Sequence, residues 1–251
     1  MGRHIGLVGP KHSGKTTAGE FLVERMGYKK IALADPLKDH AVAMINTFNT
    51  RVGLPEIDRQ FMADHKDEVF VPFLQWLGTD YGRVFLKTPD RWINAFLDQS
   101  YSSVDPVVCD DIRFPNEADA LSDNGFLIVR LIRDPSDRLE SLLRAGVNPD
   151  VHGHASETEL SNIKPDLIVR VDGGIDVLNA SMLWCVTFQQ AVQEFFRMQA
   201  QVPYFHYTDV QLAESIELIR SLQESRSLVQ IQIEDPVYAH VWNTFEDLTN
   251  V

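Results

Sequence analysis

Cysteine is nearly absent: Cys109 and Cys185 are the only two in 251 residues. Two thiols without metal-type spacing exclude a disulfide framework and a cysteine-based zinc site, and they suit a reducing, cytoplasmic compartment. Long apolar runs are missing as well. The strongest, Phe126-Leu127-Ile128-Val129, is cut by Arg130, far short of the roughly 18 residues that cross a bilayer, so no membrane partner is expected. The first apolar strand starts so close to Met1 that no signal peptide is expected before it. Positive charge is scarce: 23 Lys and Arg face 36 Asp and Glu, a net charge of −13. That field repels polynucleotide phosphates and argues against a nucleic-acid partner. With 44% hydrophobic and 24% charged residues, the remainder is that of an ordinary globular chain, long enough for one α/β domain with insertions or an appendage.

What is present begins at Gly9. Residues 9–16 read Gly-Pro-Lys-His-Ser-Gly-Lys-Thr, the pattern G-x-x-x-x-G-K-[ST]. Before them, His4-Ile5-Gly6-Leu7-Val8 has strand character; after them, apolar residues at 18, 21, 22 and 26 keep the helical period up to a capping Gly27. Strand, glycine loop and helix together predict a phosphate-binding loop: backbone amides curl around a polyphosphate and the helix start adds partial positive charge. Lys15 is then expected to reach the β and γ phosphates and Thr16 to hold Mg²⁺. The net negative charge does not oppose this, because a few cations reverse the potential inside a cleft. Arg130, Arg133, Arg138 and Arg144 crowd one short segment and suggest an anion site.

Further along, a helix is expected over 37–48, an irregular excursion over 49–68, and a helix from Phe70 to Leu77 with Trp76 in the core. Another helix follows Pro89, from Asp90 to about Leu97. Strands are expected at 106–111, ending in the carboxylates Asp110 and Asp111, at 126–132 and at 166–171. Alternation of strands and helices predicts a parallel sheet with right-handed crossovers and a ligand at the carboxyl ends of the strands. The glycine loop, Asp110-Asp111 and Arg133 all fall at those ends. From 188 onward the chain is acidic (nine acidic and three basic side chains in 194–251). It carries helical patches at 181–200 and 209–222, a strand-like run at 228–233, and no motif. The expected organisation is a core over 1–187 with a lid at about 133–160, and a mainly helical extension over 188–251. Phe195, Phe196, Leu212, Ile216, Leu218 and Ile219 suit that extension to dock on the core or on a second subunit, as in a homodimer.

Asp110-Asp111-Ile112-Arg113 with Glu117 places carboxylates at a strand end, where one can hold Mg²⁺ or meet a sugar or acceptor hydroxyl. These residues join Leu33-Ala34-Asp35-Pro36-Leu37-Lys38, Leu74-Gln75-Trp76-Leu77-Gly78-Thr79-Asp80 and His154-Ala155-Ser156-Glu157 in one order along the chain. In that order the segments resemble the deoxynucleoside monophosphate kinases of tailed bacteriophages over about residues 5–180. The resemblance implies an α/β fold of the P-loop kinase type, helices on both faces of a parallel sheet, with ATP and Mg²⁺ as cofactors and host cytoplasm as the location.

Residue by residue, the resemblance puts His12, Ser13, Gly14, Lys15, Thr16 and Thr17 around the donor triphosphate, and Thr16 and Asp110 on the metal. Lys11, Leu37 and Lys38 fall on the acceptor phosphate side. Gln75, Gly78, Thr79 and Trp92 frame the acceptor nucleoside, Trp92 by stacking. Asp111 and Arg113 lie between sugar and phosphates, with Glu117 on the acceptor side, and Arg133 starts the lid. Four residues before Gln75, where an arginine could grip the acceptor phosphate, stands Val71, and Arg83 is the substitute. Leu139, Leu142 and Leu143 are expected to face inward on the lid helix. Arg138 and Arg144 then either swing over the phosphates or form a solvated face. His152, His154 and Glu157 can also be read as a three-ligand metal site, against lid-return residues in the resemblance.

A nucleoside monophosphate is largely a dianion at pH 7, so it needs alignment and charge neutralisation rather than a base. The alternatives are a P-loop kinase acting on a hydroxyl, like dephospho-coenzyme A kinase or a deoxynucleoside kinase, with Asp110 or Asp111 as base, and an ATP-hydrolysing switch with no acceptor.

Overall fold

The structure is a computed structural model that describes residues 4–65, 70–144, 146, 159–201 and 209–249. The chain divides into two compact units, Met1–Lys30 with Asp105–Val251, and Ile31–Val104.

The first unit is built on one six-stranded sheet. Its strands are β1 (His4–Val8), β2 (Lys29–Lys30), β3 (Val107–Cys109), β4 (Phe126–Ile132), β5 (Leu167–Arg170) and β6 (Gln230–Ile233), in the spatial order β2-β3-β1-β4-β5-β6. Five strands run parallel and β6 pairs antiparallel with β5. The short apolar runs of the sequence become buried strands because both faces are covered: Ile5, Leu7, Val108, Leu127, Val129, Leu167 and Val169 are fully enclosed. Strand β1 is central, with Gly6 opposite Cys109 on one side and Ile128 on the other. The chain leaves β1 toward one edge and returns to the other, so a crevice forms at the carboxyl end of β1.

Helix α1 (Lys15–Met26) follows β1 and ends at Gly27, whose φ of 71° is left-handed, as the helical period predicts. The extension does not stand apart from the core. A single helix, Gly174–Gln201, runs through the expected boundary at 187/188, and strand β6 completes the sheet. Trp184, Phe188, Ile219, Leu222, Val241, Trp242 and Phe245 pack in the same core as β1 and β4. Phe195 and Leu218 are partly buried against it, whereas Phe196 and Ile216 stay exposed; the side chain of Leu212 lies outside the description. Both cysteines are buried and outside any disulfide, and burial pushes the Cys185 thiol up to about 12. Among the described residues no helix is long and apolar enough to cross a membrane.

The second unit is helical, with α2 (Asp35–Val52), α3 (Arg59–Asp64), α4 (Val71–Gln75) and α5 (Arg91–Tyr101). Helix α3 lies inside the segment expected to be irregular; Asp58 caps it by accepting from the Phe61 amide at 2.7 Å. Helix α4 does not stop at Gly78 but winds on as a π-helix over Trp76–Phe85. Ala41, Met62, Phe70 and Leu77 form its core. The two tryptophans exchange the expected places. Trp76 is 46% exposed, within a ladder of stacked rings with Phe73, Tyr81 and Phe85, and Trp92 is only 7% exposed.

Asp166, just before β5, is a buried carboxyl that burial pushes up to about 7, with Asp235 repelling it further; a hydrogen bond from the Ile128 amide (2.7 Å) works in the opposite direction. A carboxyl raised above its unfolded value of 3.8 favours the folded state when protonated. Its contribution is therefore full below about pH 4 and is lost as pH rises toward about 7. Melting temperatures measured from pH 5 to pH 8 should fall less steeply in Asp166→Asn than in the unmodified protein. Parallel curves would show that Asp166 does not titrate in this range.

Candidate active site

Residues 9–14 leave β1 and turn into α1 with backbone angles that need glycine at both ends. Gly9 has φ 154°, and a Cβ there would stand 2.7 Å from the Leu131 carbonyl oxygen and 2.6 Å from Ser13 Oγ. Gly14 is the N-cap of α1 at φ 96°, and His12 is also left-handed at φ 62°. The bend directs the start of α1 and its free amides into the crevice beside β1. Lys15 Nζ curls back over the loop, donating to the Gly9 carbonyl at 2.5 Å and the Pro10 carbonyl at 2.9 Å.

A cleft of about 500 Å³ opens here, a size that suits a nucleotide. Lys11, His12, Gly14, Lys15, Thr16 and Thr17 line it from the loop. Asp110, Asp111 and Arg113 enter from the end of β3, and Arg133 from the end of β4. Ten of the residues singled out in the sequence thus meet in one cleft, drawn from three parallel strands. Ser13 is buried beneath the loop, its amide donating to the Pro10 carbonyl at 3.2 Å. Gly9, Ile112, Ser141 and Leu160 also line the cleft, and nothing in the sequence marks the last two.

The cleft carries its own charge balance. Asp110 accepts from Lys30 Nζ at 2.6 Å, with only 9% of the Asp110 side chain exposed. Lys30 is a residue that sequence reasoning missed; it sits on β2 opposite Val108, two residues before Asp110. Asp111 Oδ1 accepts from the Cys109 thiol at 3.2 Å. Lys11, Lys15, Arg113 and Arg133 then outnumber the two carboxylates, so an anion meets a positive cleft in an acidic protein. The Arg133 Nε is buried and has no hydrogen-bond partner among the described residues. A partly buried guanidinium whose Nε is a spare buried donor in this cleft fits an anionic oxygen.

Other expected residues take different places. Glu117 is 5% exposed and caps helix α6 (Pro115–Asp123), accepting from the amides of Arg113 (2.9 Å) and Phe114 (3.2 Å). It does not line the cleft; it fixes the backbone of Arg113, which does. Arg130 donates to the carbonyls of Leu160 (2.9 Å) and Ile163 (2.5 Å), so it braces the Glu159–Asn162 turn that brings Leu160 to the cleft. Helix α7 (Pro135–Arg144) is capped by Asp134, whose carboxylate lies below its ordinary range because the Ser136 hydroxyl and amide donate to it. Of the three leucines expected to face inward, only Leu142 is buried; Leu139 and Leu143 are 43% and 60% exposed. Arg138 is half-buried on α7 without lining the cleft, and Arg144 pairs with Glu140 in solvent. The crowd of four arginines therefore contributes one, Arg133, to the cleft. His152, His154 and Glu157, with the lid residues around them, lie outside the described residues.

Leu37, Lys38, Gln75, Gly78, Thr79, Arg83 and Trp92 all belong to the second unit. There Gly78 lies against Leu37, so close that a Cβ would stand 2.8 Å from Leu37 Cδ2. Trp92 Nε1 donates to the Gly78 carbonyl at 3.3 Å, and Gly82 covers the same edge of the indole. At 7% exposure Trp92 has little face left for stacking and braces Gly78 within the π-helix. Lys38 pairs with Asp35 at 3.5 Å. Burial would raise the Asp35 carboxyl, but the Ala32 amide, Lys38 and Arg59 outweigh it and hold it below its ordinary value. Gln75 and Thr79 are exposed.

No protein-family model matches the chain. Among solved structures, a gluconokinase from Sinorhizobium meliloti 1021 aligns at 19% identity and a TM-score of 0.44, covering 77% of this chain and 96% of that one. A sugar kinase from Janibacter sp. HTCC2649 aligns at 17% identity and a TM-score of 0.36, over 73% and 93%. At such scores neither neighbour bears on function. A protein of Acanthamoeba polyphaga mimivirus named "Putative deoxynucleotide monophosphate kinase" is 30% identical over 200 residues, 72% of this chain and 95% of that protein. That relative is from a mimivirus rather than a tailed bacteriophage. With a phosphate loop on the central strand of a P-loop kinase sheet and near-complete coverage of that relative, the chain belongs to the deoxynucleotide monophosphate kinase family of phosphotransferases.

Proposed function

We propose that the protein transfers the γ-phosphoryl group of ATP to a deoxynucleoside 5′-monophosphate, giving ADP and the deoxynucleoside diphosphate. The observation that supports this most strongly is the convergence of Lys15, Asp111, Arg113 and Arg133 on the cleft of the phosphate loop. An oxygen of the acceptor phosphate attacks the γ phosphorus, and the β–γ bridging oxygen leaves on ADP. The acceptor is already a dianion near neutral pH, so the work of the protein is to align two anions and neutralise their charge.

Lys15 takes the growing charge on the β and γ oxygens, leaving its bonds to the Gly9 and Pro10 carbonyls to do so. His12, Gly14, Thr16 and Thr17 hold the donor, with Ser13 packed beneath them, and Arg133 offers its spare Nε to it. Arg113 and Lys11 draw the acceptor phosphate, with Asp111 directed to the acceptor sugar. The acceptor-side motifs carry Leu37, Lys38, Gln75, Thr79 and Arg83 on the second unit, where Trp92 donates to the Gly78 carbonyl beside them. Thr16 and Asp110 offer hard oxygen donors on one cleft, a set that would hold Mg²⁺. When bound, the ion neutralises phosphate charge. Lys30, donating to Asp110 Oδ2, orients that carboxylate for the role.

An acceptor panel tests the reading directly. ADP release should rise with at least one deoxynucleoside monophosphate and not with the matching deoxynucleoside. Stimulation by nucleosides alone would point to a hydroxyl acceptor, and rapid ATP hydrolysis indifferent to both would point to a switch.

Lys15→Ala should fold normally and lose about 10²–10³-fold in kcat, the effect of removing one donor aimed at transition-state charge. A variant with near-normal kcat would make the loop a structural turn.

Arg133→Ala should lower kcat alike for every acceptor, since Arg133 faces the donor. Asp111→Asn should instead change acceptor KM and the ratio between deoxyribose and ribose acceptors. Equal losses in both variants, blind to the sugar, would contradict these roles.

A further inference from the structure

Helix α7 is weakly held for an element that borders the phosphate cleft. Its start is fixed: Asp134 caps it, and the Asp134 amide donates to Asp172 Oδ1 at 2.7 Å. Beyond that first turn, Leu142 is its only buried side chain. Leu139 and Leu143 face solvent, and the Arg144–Glu140 pair is exposed, where such pairs contribute little. Among the described residues, a polar link reaches across instead. Ser141 Oγ and His12 Nδ1 share a hydrogen bond of 3.0 Å, spanning 129 residues of sequence.

His12 is well placed for this. It belongs to the phosphate loop, between Lys11 and Ser13, and its φ of 62° is left-handed, a conformation that non-glycine side chains seldom adopt. Ser141 lines the same cleft. It lies one turn beyond Arg138, and residues three apart share a face of a helix. Any shift of the loop backbone at His12 therefore bears on the half of α7 that has the fewest other anchors.

We propose that the His12–Ser141 hydrogen bond is a latch that sets helix α7 against the phosphate loop, with Ser141 a positioning residue for the donor side of the cleft. This rests in part on the proposed reaction, because what the latch positions matters only if the cleft takes a nucleotide. A phosphate seated in the loop fixes His12, which fixes Ser141 and draws Arg138 and the preceding Arg133 into one arrangement. One hydrogen bond at a half-buried site shifts such an equilibrium by about 2- to 10-fold.

The test separates the latch from the reaction. Amide hydrogen exchange over 135–144 is measured in the ligand-free protein, where nucleotide plays no part. Ser141→Ala should exchange about 2- to 10-fold faster there with little change in melting temperature, and Ser141→Thr, which keeps the hydroxyl, should match the unmodified protein. ATP affinity, read by titration calorimetry, should weaken by a similar factor in Ser141→Ala. In a His12→Gly background, which accepts the left-handed backbone without the imidazole, adding Ser141→Ala should change neither readout further. Unaltered exchange in Ser141→Ala, or additive effects of the two substitutions, would overturn the latch. Faster exchange in a protein that binds no ATP would keep the latch and sink the proposed reaction.

Discussion

The turn between β1 and α1 is the constraint on which the rest of the first unit depends. Gly9 passes so close to the Leu131 carbonyl and to Ser13 that no side chain fits, and this close approach swings the start of α1 over the end of the central strand. Because β3 and β4 flank β1 in parallel register, their carboxyl ends arrive at the same place. Asp110, Asp111 and Arg113 follow one of them and Arg133 the other. A bulkier residue at position 9 would have to move β4 as well as the loop, since the obstructing oxygen belongs to that strand. Position of the loop and position of the catalytic candidates are thus one geometric fact.

Charge is arranged around that turn in a way that composition conceals. A chain with a net charge of −13 presents a cleft where lysines and arginines prevail. The second-unit cluster of Asp35, Lys38, Asp39 and Arg59 shows the opposite arrangement, a network in which each cation is matched by a carboxylate. Cations free to meet a ligand and cations spent on structure are hard to tell apart by spacing. Arg130 lies on β4 and Arg133 just past its end, yet the first is committed to carbonyls of the 159–163 segment and the second keeps a buried donor in reserve.

That difference marks where the sequence is readable and where it is not. The loop, the buried strands and helix α1 are local patterns, and local patterns survive folding: runs of apolar residues became β1, β3, β4 and β5 with shifts of a residue or two. The fates of Trp76 and Trp92 are set by tertiary packing. Both sit in helical, apolar surroundings, and only the π-helical winding after Gln75 turns Trp76 outward. Likewise Leu139, Leu142 and Leu143 share a periodicity that suits burial, but only Leu142 of the three is buried. Glu117 closes the Asp-x-Arg-x-x-x-Glu segment that the resemblance puts on the acceptor side, and the fold uses its carboxylate to cap a helix. Helix α3 had a readable signal in Asp58 that the surrounding Gly53 and Pro55 obscured, and the final helix, Pro236–Thr249, opens on an Asp-Pro start that the acidic character of the region hid.

The placement of the C-terminal segment follows from an edge problem. Without β6, strand β5 would end the sheet with a row of unpaired amides and carbonyls, an invitation to pair with another chain. Strand β6 closes that edge in antiparallel register, Leu167 opposite Ile233 and Arg170 opposite Gln230. Its anchors lie away from the cleft. The Asp166 carbonyl accepts from the Glu234 and Asp235 amides, and Gln189 Nε2 donates to the His4 carbonyl at the start of β1. All of these are at the amino ends of the parallel strands, whereas the phosphate loop is at the carboxyl ends. The segment therefore stiffens the sheet from the edge opposite the chemistry. It can tighten the frame that holds β1, β3 and β4 in register while leaving the approach to the phosphate loop to α7 and the turns that follow β3.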